Sequence, residues 1–95
     1  MSLSNAQIKA LKAHTHSLKP VVRLGQSGLS PSVLDEVELA LEHHELIKVK
    51  IAASDRKQKK AFIETIAEKT LSTVIQSIGS VAVFYRENPD KKNYS

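Results

Sequence analysis

Val21-Val22-Arg23-Leu24-Gly25-Gln26-Ser27-Gly28-Leu29-Ser30-Pro31 is the stretch whose reading decides the fold. Paired β-branched residues at its start favour a strand. Ser30 is a good helix N-cap, and Pro31 fits the first helical position. Between them lies a Gly-x-x-Gly loop. Glycines let a backbone bend sharply and approach another backbone closely. Glycine loops and helix N-termini both present free N–H groups, and their natural guest is a phosphate.

The flanking sequence supplies the other elements. Upstream, the spacing predicts a helix over about residues 5–15, capped by Ser4 with Gln7 completing a capping box. Ile8, Leu11 and Thr15 share one face, while Lys9, Lys12 and His16 share another. Downstream, a helix from about Pro31 to His44 gathers Val33, Val37, Ala40, Leu41 and His44 on an apolar face. Asp35, Glu38, Glu42 and Glu45 lie beside that face as an acidic stripe. Leu46 to Ala52 alternates, with Ile47, Val49 and Ile51 opposite Lys48 and Lys50, as a half-buried strand does. Ser54 and Asp55 offer a cap for a third helix over 56–70, with Phe62, Ile63, Ile66 and Thr70 inward. Thr73–Ile78 and Val81–Arg86 flank Gly79-Ser80 and read as an antiparallel hairpin. The tail from Glu87 to Ser95 reads as loose. No repeat, linker or low-complexity segment breaks the pattern.

The order α-β-α-β-α-β-β specifies one α/β domain over 1–95: a two-layer sandwich with a mixed four-stranded sheet. Strand–helix–strand crossovers are right-handed and make the first two strands parallel. Their carboxyl ends then share one sheet edge, where ligands of open α/β sheets bind. The Gly25–Gly28 loop and the run Arg56-Lys57-Gln58-Lys59-Lys60 should therefore open side by side. Four cations in that run sit at a helix N-terminus, where each is disfavoured by about 0.3–1 kcal/mol at low salt. A bound polyanion would remove that penalty. The plainer reading is that such a run is a solvated face, with Lys60 and Glu64 one turn apart.

Composition narrows the classes further. A hydrophobic content of 41% with 25% charged residues is that of an ordinary globular domain. The absence of cysteine excludes disulfides and thiolate metal sites. A net charge of +4 leans toward anionic partners. No apolar run approaches a membrane span, and Met1 to Asn5 leads straight into a polar helix, so a cytoplasmic protein with no membrane partner is expected. His14, His16, His43 and His44 form no H-E-x-x-H pattern. The loop lacks a following Lys-Ser/Thr, and Pro31 stands where a third dinucleotide glycine would be. The expectation is no enzyme, no metal, no cofactor and no small-molecule substrate, in a monomer. Aromatic content of 4% without tryptophan argues against a base-stacking platform. Phe84 is expected in the core, whereas Tyr85 suits either packing or stacking. No helix carries a groove-reading set of Arg and Asn, which disfavours DNA.

Three segments in order carry a family resemblance. Leu18-Lys19-Pro20-Val21-Val22-Arg23-Leu24-Gly25-Gln26-Ser27-Gly28-Leu29 resembles the opening motif of the CRM (chloroplast RNA splicing and ribosome maturation) domain family. Glu45 to Ile51 resembles its second-strand motif, and Ile78-Gly79 through Phe84-Tyr85-Arg86 resembles its closing hairpin. The resemblance covers nearly the whole chain. It implies a fold similar to the C-terminal domain of bacterial translation initiation factor three, with a glycine loop similar to that of KH domains. It also implies an RNA-binding protein associated with precursors of the large ribosomal subunit, with rRNA as partner. Carried over by position, the RNA loop is Gly25, Gln26, Ser27 and Gly28. Arg56, Lys57, Lys59 and Lys60 would supply phosphate contacts, and Arg23, Lys9, Lys12 and Lys19 would extend the footprint. The middle pair Gln26-Ser27 is neutral where the family has a basic or polar pair, which shifts the burden to neighbouring cations. The alternative is a protein-interaction module without RNA affinity, using Val81-Ala82-Val83-Phe84 as a free strand edge.

Overall fold

The computed structural model describes residues 3–25, 28–53 and 55–91. The elements run α1 (Asn5–Thr15), β1 (Pro20–Leu24), α2 (Pro31–His44), β2 (Leu46–Ile51), α3 (Arg56–Thr70), β3 (Thr73–Ile78) and β4 (Val81–Tyr85). Each helix begins where a side chain satisfies an otherwise orphaned N–H. Ser4 Oγ accepts from Gln7 N at 3.1 Å, and Gln7 Oε1 accepts from Ser4 N at 2.8 Å. Ser30 Oγ accepts from Val33 N at 3.3 Å, with Pro31 following. Asp55 Oδ1 accepts from Gln58 N at 2.7 Å.

The strands form one sheet in the order β1-β2-β4-β3. β1 and β2 are parallel, with Leu24 opposite Ile51, and the other two pairings are antiparallel. Side chains alternate between the sheet's faces. Val22, Leu24, Ile47, Val49, Ile51, Ala82 and Phe84 pack with Val37 and Leu41 of α2 and with Ile63 and Ile66 of α3. Phe84 is fully buried there, as expected, and burying one such side chain is worth about 1.5–3 kcal/mol. Sheet and α2–α3 are the two layers. α1 covers part of the opposite face, where Leu11 meets Leu46, Ile75, Val83 and Tyr85. Tyr85 is thus a packing residue; burial, then the carboxylates of Glu45 and Glu87, raise its phenol above the usual range.

Four expectations need correction. His44 is exposed rather than on the inner face of α2. The helix ends there, because Glu45 adopts φ 65° and the helical spacing no longer applies. Glu45 accordingly leaves the acidic stripe and is fully buried. Its carboxylate accepts from Asn88 N at 2.9 Å, its carbonyl accepts from Arg86 N at 2.9 Å, and its N–H donates to the Leu41 carbonyl at 2.8 Å. Those bonds hold a backbone conformation that a non-glycine residue rarely adopts.

The same cluster anchors the start of the tail. Asn88 is buried and its amide donates to the Glu42 carbonyl at 2.8 Å, so the chain beyond Tyr85 is tied down through this residue. Residues 92–95 lie outside the described residues. Finally, β4 lies between β2 and β3 and offers no free edge for a partner strand. At this end of the sheet Arg86 joins Glu38 at 2.8 Å and Glu42 at 3.3 Å, which neutralises part of the acidic stripe.

Candidate nucleic-acid interface

Parallel pairing puts the carboxyl ends of β1 and β2 together. The first residue after β2, Ala52, donates its N–H to the Leu24 carbonyl at 3.2 Å, one residue before Gly25. The glycine loop and the segment leading into α3 therefore leave the sheet side by side. A third turn reaches the same edge. β4 runs antiparallel to β2, and Ile51 N donates to the Ser80 carbonyl at 2.7 Å, which brings the Gly79-Ser80 hairpin alongside. Lys59 Nζ donates to the Gly79 carbonyl and ties this hairpin to α3.

The two loop glycines differ in what the fold asks of them. Gly28 has φ +79°, a region unfavourable to other residues, and a β-carbon there would stand 3.4 Å from Phe62 Cζ of α3. Its N–H donates to the Gly25 carbonyl at 3.0 Å and closes the turn. That donor is spent within the loop, so Gly28 shapes the turn. Gly25 is exposed, lies outside the positive-φ region, and, its chain neighbours aside, has no atom of the described residues within 4 Å of a β-carbon built on it. Neither conformation nor packing demands glycine at this position. The missing side chain leaves the edge open to an outside molecule. Gln26 and Ser27 lie outside the described residues.

Arg56, Lys57 and Lys60 are exposed in the first turns of α3 and make no ion pair among the described residues. Lys60 and Glu64, one turn apart, form no ion pair among the described residues. Asp55 contributes one carboxylate at the helix start, against four cations in the following five residues. Residues 3–86 match the family model of the CRS1/YhbY (CRM) domain. The chain belongs to the CRM domain family. It is 46% identical over 91 residues to an "RNA-binding protein" of Haemophilus influenzae, covering 96% of this chain and 92% of that one. It is 43% identical over 96 residues to a "Probable RNA-binding protein" of Pseudomonas aeruginosa, covering 100% and 92%. The fold matches the solution structure of a hypothetical Staphylococcus aureus protein, described as a candidate RNA-binding protein. That match has a TM-score of 0.85 and 32% identity, and covers 99% of this chain and 98% of that one.

This CRM domain brings some of the anticipated residues together and separates others. Gly25, Gly28, Arg56, Lys57 and Lys60 share the edge just described. Lys59 is half-buried and engaged with Gly79, so part of its role is structural. Arg23 projects to the sheet face opposite α2 and α3, beside Lys50 of β2. Lys19 precedes β1 and so lies at the end of that strand remote from Gly25. Lys9 and Lys12 are exposed on α1, which packs on the other sheet face against Leu46 and Tyr85, toward the far end. Lys48 donates to the Leu18 carbonyl at 3.0 Å. The hairpin residues Gly79 and Ser80 had no place in the sequence reading of this edge. The available signal was a two-residue turn closing an even number of strands, but its position depended on strand order. Among the described residues, no group of His, Asp and Glu is arranged to hold a metal, and no helix is long and apolar enough to cross a membrane.

Proposed function

We propose that this CRM domain binds RNA through its backbone, with the Gly25–Gly28 turn gripping a short phosphate run and the start of α3 supplying salt-sensitive attraction. The observation that carries the reading is Gly25: a glycine that neither conformation nor packing among the described residues requires, on the edge that also holds Arg56, Lys57 and Lys60, which make no ion pair among those residues. The family and the names of the relatives support RNA over other polyanions. Recognition rests on shape and phosphates and carries little sequence preference. Phe84 and Tyr85 support this view, since both are committed to packing.

The target is ribosomal RNA in precursors of the large subunit, bound in the cytoplasm by a monomeric, non-enzymatic protein. Crosslinking in living cells followed by sequencing of the attached RNA tests this target. Enrichment of large-subunit rRNA in precursor particles is the expected result. Recovery of unrelated transcripts in proportion to their abundance would overturn it.

A further inference from the structure

α3 and the outer strand β3 leave a groove of about 650 Å³ between them. This is within the range of about 300–1,000 Å³ that small-molecule sites occupy. Val74 and Ser77 pair with Phe84 and Ala82, so both stand on the sheet face that α3 covers. Val74 is 37% exposed, although it faces into the domain. Ile63 of α3 lines the groove with it and gives an apolar wall. Arg56 and Lys60 line the same groove from the first turns of α3, and Glu64 stands one turn further along. The Lys59–Gly79 bond braces the hairpin end.

The groove is continuous with the edge assigned to RNA through Arg56, which borders both this groove and the smaller hollow beside Ala53 and Ser80. Its charges are ordered along α3, with cations first and a carboxylate after them. A phosphate suits the cationic mouth and is repelled from the carboxylate. A flat, uncharged base with N–H donors suits the apolar wall and Glu64. We propose that this groove receives one unpaired RNA nucleotide, with its phosphate at Arg56 and Lys60 and its base between Ile63 and Val74. The proposal rests on the RNA-binding reading above and adds a preference for unpaired over duplex RNA. A base held in a helical stack cannot enter the groove, whereas phosphates of either form can lie against the glycine turn.

The test measures fluorescence anisotropy with a short oligocytidylate and with a blunt RNA duplex, for wild type, Ser77→Trp and Gly25→Asp. Ser77 is exposed on β3, and an indole there would fill the groove. The expected result is that Ser77→Trp weakens oligocytidylate binding about tenfold and leaves duplex binding within about twofold. Gly25→Asp weakens both. If Ser77→Trp binds both RNAs like wild type while Gly25→Asp does not, the groove proposal fails and the glycine-turn reading stands. If both variants bind like wild type, both readings fail. An equal loss on the two RNAs with Ser77→Trp also overturns the groove. Methyl NMR of the wild-type chain needs no substitution: Ile63 and Val74 should shift with oligocytidylate and not with duplex. Shifts confined to Leu24 and Leu29, the methyl-bearing residues that flank the glycine turn, would contradict the proposal.

Discussion

The ring of Phe62 lies so close to Gly28 that a β-carbon on the glycine would stand 3.4 Å from Cζ. This contact joins the loop after β1 to the inner side of α3, and with it the two parts of the proposed RNA edge. It also separates the roles of the two glycines. Gly28→Ala should cost about 1–2 kcal/mol, because φ +79° penalises any β-carbon, whereas the approach to Phe62 is an ordinary contact. Gly25→Ala should stay within about 0.5 kcal/mol. Urea denaturation of both variants measures this directly, and equal losses would refute the distinction.

Charge contributions should divide by location. Arg56→Gln and Lys60→Gln should each lower the slope of log affinity against log salt by about 0.7 for single-stranded RNA. Lys9→Gln and Lys12→Gln, on α1 over the other sheet face, should leave the slope unchanged. A salt titration of all four variants checks both statements. A loss of slope at Lys9 and Lys12 equal to that at Arg56 and Lys60 would place the footprint elsewhere.

Asn88 should matter for stability despite its place near the end of the sequence. Its amide reaches the Glu42 carbonyl, and its N–H serves the buried Glu45 carboxylate. Cutting the chain after Arg86 removes that N–H and leaves a buried carboxylate oxygen without it, at a cost of about 1–3 kcal/mol. Thermal or urea unfolding of the shortened chain is the measurement, and unchanged stability would show the anchor to be idle.

Alkaline pH should destabilise the fold through Tyr85. Burial, Glu45 and Glu87 raise its phenol above the value of about 10 that it has in an unfolded chain. Above that value the unfolded state loses the proton first, so Tyr85's contribution is complete below about pH 10 and is lost as pH rises through its folded-state value. Tyr85→Phe should flatten this part of the stability profile between neutral and strongly alkaline pH. A profile identical to wild type would mean that other groups carry the effect.

Local signals carried most of the fold. Ser4 with Gln7, Ser30 with Pro31, and the pair Ser54-Asp55 placed the helix starts; Ser4, Ser30 and Asp55 make capping bonds, and Ser54 lies outside the described residues. The parallel pairing of β1 with β2 follows from the crossover rule and was enough to bring the glycine loop and α3 together. What local pattern left unread depends on strand order. With β4 inserted between β2 and β3, the Gly79-Ser80 turn joins the edge and the presumed partner strand becomes internal. One clue was present, since Val81 to Tyr85 is apolar on both faces, as a central strand covered from both sides must be. Glu45 was unreadable for another reason. Its carboxylate fits a solvated helical stripe by spacing, and only the turn at φ 65° sends it inward.

The central claim is that an RNA backbone passes over Gly25. Its most direct measurement is the affinity of Gly25→Asp for single-stranded RNA at low salt, beside wild type, with unfolding curves for both. Open space around this position predicts an unchanged unfolding curve. A carboxylate set against the phosphate path predicts at least about a tenfold loss of affinity. Wild-type affinity in a folded Gly25→Asp protein would contradict the account.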